Sequence, residues 1–158
     1  MAPKSAAPHG LSAQRELDRF LSRYTPELRA LAEATLAKMR ERLPGAVQIV
    51  YDNYNALVVG FGPSERASEA AFSIALYPKT VRLFFLRGAV LPDPKELLEG
   101  EGKVVRSIVV EDPSDLDKPP VRALMKAALK AQPIDPAGEG RLVIQSISKN
   151  QRPRRPRR

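Results

Sequence analysis

Val47 to Phe85 reads VQIVYDNYNALVVGFGPSERASEAAFSIALYPKTVRLFF. It divides into four short apolar runs separated by turn chemistry at Asp52-Asn53, Gly62-Pro63-Ser64 and Pro78-Lys79. Val47, Ile49 and Tyr51 alternate with Gln48 and Asp52, and Phe72, Ile74 and Leu76 alternate with Ser73, Ala75 and Tyr77. A spacing of two gives each run one face to bury, which predicts four consecutive strands in an antiparallel meander.

The segments on either side supply what covers that sheet. From Ala13 to about Tyr24, Leu17, Phe20 and Leu21 share one helical face while Arg15, Arg19 and Arg23 share another, read as solvated, with Ser12 as the first cap. Thr25-Pro26-Glu27 is a helix start: a capping hydroxyl, a proline at the first helical position and an early acid. The helix runs to Leu43 on a stripe of Leu28, Leu31, Ala32, Leu36, Met39 and Leu43, and Pro44-Gly45 ends it. Past the meander, Leu91 to Gly102 allows at most one helical turn, around Glu96 to Glu99. Val104 to Val110 reads as a fifth strand, prolines 113, 119 and 120 as bracketing a loop, and Val121 to Lys130 as a third covering helix. Leu142 to Ser148 resembles a short strand that adds to a sheet edge. The expectation is an α+β fold. It has a curved antiparallel sheet of about five to six strands, with two N-terminal helices and one C-terminal helix on one face. Residues 13–148 form one domain between a disordered arm, 1–12, and a disordered Arg/Pro-rich tail, 149–158.

The chain has 158 residues, a net charge of +8, no cysteine and one histidine. Its length suits a single core. The missing cysteines remove disulfides, thiolate metal sites and cysteine nucleophiles together and suit a reducing compartment, so a cytoplasmic protein is expected. No run approaches the ~18 apolar residues of a membrane span. The one histidine, His9, sits in the arm, away from any rigid scaffold that a Ser-His triad or a His-rich zinc site needs. Gly102-Lys103 looks like the end of a phosphate-binding loop, but position 97 is Leu and position 104 is Val, so the motif fails. No Gly-x-Gly-x-x-Gly follows a strand. These absences point to a non-enzymatic protein.

Three groups of residues remain as candidates. Tyr51, Asp52, Asn53 and Tyr54, with Asn55 beside them, concentrate hydrogen-bonding side chains at one turn, and Arg82 and Arg106 from neighbouring strands extend them into a polar pocket on the open face of the sheet. The acidic segment Asp93–Asp117 offers Glu111, Asp112, Asp115 and Asp117 as oxygen ligands for a hard cation such as iron, although no calcium-loop spacing is present. Lys149, Arg152, Arg154, Arg155, Arg157 and Arg158 carry six positive charges without an acid, leaving residues 1–148 at a net +2. A flexible strand of that charge binds polyanions through counterion release, without sequence preference.

The runs VYDNYNALVVGFGPSERASEAAFSIALYP and VRLFFLRGAVLPDP, with LVIQSISKNQRPRR at the end, resemble the YdhG-like family, bacterial domains of unknown function. The resemblance covers about Ala13 to Gln132. It implies the same curved sheet with helices on one face, and one branch of the family implies a frataxin-like iron chaperone. It carries no catalytic motif to transfer. The leading expectation is therefore a domain binding a small ligand or protein partner on its open sheet face. Iron delivery and tail-mediated nucleic-acid association are the alternatives. An exposed apolar sheet face adds the expectation of a homodimer.

Overall fold

The computed structural model describes residues 11–156. The elements run α1 (Leu11–Leu21), α2 (Pro26–Arg42), β1 (Val47–Asp52), β2 (Leu57–Gly62), β3 (Phe72–Leu76), β4 (Val81–Phe85), β5 (Arg106–Val110), α3 (Pro119–Ala131) and β6 (Leu142–Ile147). Short 3-10 turns lie at Ala67–Glu69, Gly88–Val90 and Pro113–Asp117. The chain is α+β, as expected. Apart from Leu11 and Ser12, which open α1, the expected N-terminal arm lies outside the described residues, as does His9.

Local chemistry sets the helix ends. The Thr25 hydroxyl accepts the Leu28 N–H at 3.3 Å and Pro26 occupies the first turn of α2. After α2, Gly45 turns the chain at φ +87°, where a Cβ would lie 2.2 Å from the Asp135 carbonyl oxygen, so only glycine fits. Pro119 and Pro120, at the far bracket of the expected loop, form the first turn of α3, where a missing N–H costs nothing. No helical turn forms at Glu96–Glu99. Glu99 exchanges two backbone hydrogen bonds with Ser107, at 2.8 and 2.9 Å.

The six strands form one sheet in the order β5-β4-β3-β2-β1-β6. All neighbours are antiparallel except β1 and β6, which pair in parallel, with a register slip between Val50 and Tyr51. The pairings make β5 run in the same direction as β1, and β6, joined to β5 through the helical connection α3, keeps that direction beside β1.

One face is closed by the helices. Val59, Phe61, Ile74, Leu76, Leu83, Phe85 and Val110 meet Leu17, Leu21, Leu36, Met39 and Leu124 in a single buried core. Phe72 and Phe85 pack edge to face at 5.6 Å. Burying one such side chain stabilises the fold by about 1.5–3 kcal/mol relative to leaving it in water. On the other face, Val47, Ile49 and Val143 form a small buried cluster against Tyr51. Val58, Phe84 and Val109 share that face and are half-buried. None of these is a fully exposed large apolar side chain, so the open face is partly apolar and partly covered among the described residues. Among the described residues no helix is long and apolar enough to cross a membrane.

Candidate anion cleft at the turn end of the sheet

The turn after β1 is short: the Asn53 N–H donates to the Ala56 carbonyl at 2.9 Å and β2 begins at Leu57. At the same end of the sheet, Tyr77 N–H donates to the Thr80 carbonyl at 2.9 Å, closing the β3–β4 turn. Tyr24, in the link between α1 and α2, ties these turns together. Its hydroxyl donates to the Leu76 carbonyl at 3.0 Å and accepts the Leu57 N–H at 3.2 Å, across the pair that closes β2 and β3. Burial pushes the Tyr24 phenol up to about 12, against the opposing pull of the Arg154 guanidinium.

The chain beyond β6 packs onto this end. Ser148 N–H donates to the Asp52 carbonyl at 2.9 Å and Arg152 N–H to the Tyr54 carbonyl at 2.8 Å. The Gln151 amide donates to the Asp52 carbonyl at 3.0 Å, and its oxygen accepts from Arg23 at 2.6 Å. Arg154 is driven inside, 4% exposed. Its Nη2 donates to Asp52 Oδ1 at 2.9 Å and to the Asn53 carbonyl at 2.5 Å, and its guanidinium stands 6.0 Å from the centre of the Tyr24 ring. Arg23 reaches the other Asp52 oxygen at 3.4 Å. The expected mobile tail is therefore corrected over residues 149–156. A buried carboxylate at Asp52 requires a cation, and Arg154 provides it. Arg157 and Arg158 lie outside the described residues.

Between the tail and the turns lies an open cleft of about 770 Å³, with Asn55, Tyr77 and Pro78 on one side and Arg152, Pro153, Arg155 and Pro156 on the other. Arg152 stands 6.0 Å from the centre of the exposed Tyr54 ring, and Arg155 donates from Nε to the Arg23 carbonyl at 3.1 Å. Neither arginine meets a carboxylate among the described residues, whereas Arg154 between them is neutralised by Asp52. Lys149 is exposed and lies away from the cleft lining. Two unpaired guanidiniums, a phenol, an amide and proline walls that hold them apart suit a ligand with several anionic oxygens.

The pocket expected on the open sheet face does not assemble. Asp52 is 1% exposed and taken by arginines, so it offers nothing to a ligand. Tyr51 and Arg82 stand on the same face in one cross-strand row, Tyr51-Val58-Ala75-Arg82, which puts them three strand spacings, about 14 Å, apart. The Tyr51 hydroxyl is buried without a partner among the described residues, and burial raises its pKa. Arg106 pairs with Phe85 on the helix-covered face, opposite in sense to Arg82, and donates to the carbonyls of Gly102 and Val105. Asn53 and Tyr54 are exposed, but their carbonyls serve the tail.

The acidic segment does not gather either. Asp112 and Asp115 form a capping box on the 3-10 turn Pro113–Asp117: Asp112 accepts from Ser114, and Asp115 accepts the N–H groups of Glu111 and Asp112 at 2.9 and 3.1 Å. The Ser114 bonds hold the Asp112 carboxyl below its usual range. Burial raises Asp115, but the two N–H groups and Lys118 outweigh it and leave its pKa lowered. Asp117 bonds Lys38 at 2.7 Å and pairs with Arg42, which lowers its pKa as well. Glu111 is exposed, its own N–H given to Asp115. Among the described residues no three His, Asp or Glu side chains are grouped to hold a metal ion. In place of the expected iron ligation, Asp112 and Asp115 cap the 3-10 turn and Asp117 is held in ion pairs, while Glu111 gives its backbone N–H to Asp115.

Sequence reading named Asn55 as part of the polar turn but missed Tyr77 and Pro78 as lining residues, because only the tail's placement makes them face arginines. No family model, curated protein or solved structure matches the chain.

Proposed function

We propose that the protein is a non-enzymatic, cytoplasmic binding domain whose ligand is a phosphate-bearing anion held in the cleft between the two turns and the C-terminal segment. The observation that carries this reading is the division of labour in one short stretch. Arg154 is consumed by Asp52, while Arg152 and Arg155 on either side of it line the cleft without a carboxylate partner among the described residues. Guanidiniums present paired N–H groups that match phosphate oxygens, and a pre-placed pair avoids part of the ordering cost that a free tail would carry.

The test is calorimetric titration of tripolyphosphate into the full chain at low and moderate salt. Binding weakens as salt rises, the Arg152→Gln/Arg155→Gln variant loses at least about tenfold in affinity, and Lys149→Gln, outside the cleft, changes it little. Equal losses in both variants would mean that undirected tail charge binds the anion, and no binding by the wild type would refute the reading.

A further inference from the structure

A second, shallower concavity of about 330 Å³ adjoins the cleft, and Tyr77 lines both. Its other walls are Arg82, Phe84, Glu99, Gly100 and Ser107. Tyr77 continues the open-face alternation of Ser73 and Ala75, and Arg82 pairs with Ala75, so the concavity runs from the turn onto the open face of the sheet. The two halves differ in electrostatic character. The cleft offers Arg152 and Arg155. In the concavity Arg82 is already engaged, donating from Nη1 to Glu99 Oε1 at 3.2 Å and to the Ser107 hydroxyl at 2.9 Å. Glu99 is 58% exposed, and among the described residues only its Oε1 is in use.

We infer that the two concavities together take single-stranded nucleic acid, with phosphates against Arg152 and Arg155, a base stacked on Tyr77, and the edge of that base or the next meeting Glu99. The inference rests on the anion reading of the cleft and extends it. The second Glu99 oxygen, beside the path, accepts a hydrogen bond from an exocyclic amine, which suits a ligand that is anionic at one end and an amine donor at the other. Half-buried aromatic rings beside cationic side chains are the means by which proteins hold unpaired bases. The site is an open trough from the tail to β5 and not an enclosed pocket, which suits a polymer over a free nucleotide. Guanidinium, ring and carboxylate come from the tail, β3–β4 and the β5 edge, so only the folded sheet brings them into line.

The experiment measures fluorescence anisotropy of labelled oligodeoxycytidylate and oligothymidylate with the full chain, beside calorimetry of tripolyphosphate and of free cytidine monophosphate. Cytosine carries the exocyclic amine and thymine does not. The expected result is a cytidylate strand bound at least about fivefold tighter than the thymidylate strand, with the preference abolished by Glu99→Gln. Tyr77→Leu, which keeps apolar volume, weakens both strands by roughly tenfold while tripolyphosphate affinity stays unchanged. Tripolyphosphate binding with strand affinities indifferent to Tyr77→Leu and Glu99→Gln would overturn the inference and leave the anion site standing. Free cytidine monophosphate binding as tightly as the strand would overturn the polymer assignment. Failure of tripolyphosphate and both strands to bind would remove the anion reading itself.

Discussion

Arg154 Nη2 lies 2.9 Å from Asp52 Oδ1, with both side chains 1% exposed and the two residues 102 positions apart in the chain. The pair closes the C-terminal segment over the first β-turn, and the Asn53 and Tyr54 carbonyls take further guanidinium protons. Removing one partner of such a pair leaves an uncompensated buried charge, which costs about 3–5 kcal/mol. Arg154→Ala is therefore expected to lower the unfolding free energy by that amount in a urea titration. The Asp52→Asn/Arg154→Met double variant is expected to lose much less than the two single losses added together, the signature of direct coupling. A single-variant loss under about 0.5 kcal/mol, typical of a surface site, would mean that the pair is not buried in solution.

Tyr24 gives a spectroscopic reading of the same end of the fold. Its phenol is raised to about 12, first by burial. A folded-state pKa above the unfolded value means that the protonated form stabilises the fold below about pH 10, and that this contribution is lost as pH rises from there through about 12. Ultraviolet titration should show one tyrosine ionising last, and Tyr24→Phe should delete that step. The same change leaves the Leu57 N–H and Leu76 carbonyl short of a partner, at a cost of about 1–3 kcal/mol.

Asp117 predicts the acid response. Its bond from Lys38, with Arg42 and Arg122 nearby, depresses its pKa. The carboxylate thus contributes stability at every pH above its unfolded value, near 3.9, and that contribution disappears as pH falls through the depressed folded value. Asp117→Asn should be less stable than wild type at neutral pH, with the difference closing on acidification. A difference independent of pH would deny the ion pairs.

How much of this could be read from sequence follows from the range of the interactions. The four strands of Val47–Phe85, the cap at Thr25 and the apolar stripe of α2 are local patterns, and each appears where its spacing put it. The parallel docking of β6 against β1 is not local, since Leu142–Ile147 pairs with residues nearly a hundred positions earlier and its alternation carries no direction. Arg154 was misread for the same reason. An Arg-Pro run has the composition of a disordered polyanion-binding tail, and Asp52 looks like any turn aspartate until the two are seen to neutralise each other. The acids of the 111–117 segment were grouped as ligands on composition alone, and composition does not tell a carboxylate that caps a 3-10 turn from one that ligates a cation. The basic character at residues 152 and 155 was legible, but Tyr77 as its neighbour required the turn geometry.

Amide hydrogen exchange across residues 148–156 tests most directly the claim that the C-terminal segment is a packed wall of the binding cleft. The Ser148 N–H, bonded to the Asp52 carbonyl, and the Arg152 N–H, bonded to the Tyr54 carbonyl, should be protected in the wild type. In Arg154→Ala the Arg152 N–H should lose that protection while the core strands keep theirs. Exchange of the Arg152 N–H at the rate of an unstructured peptide in the wild-type protein would contradict the account, and with it the cleft that the segment encloses.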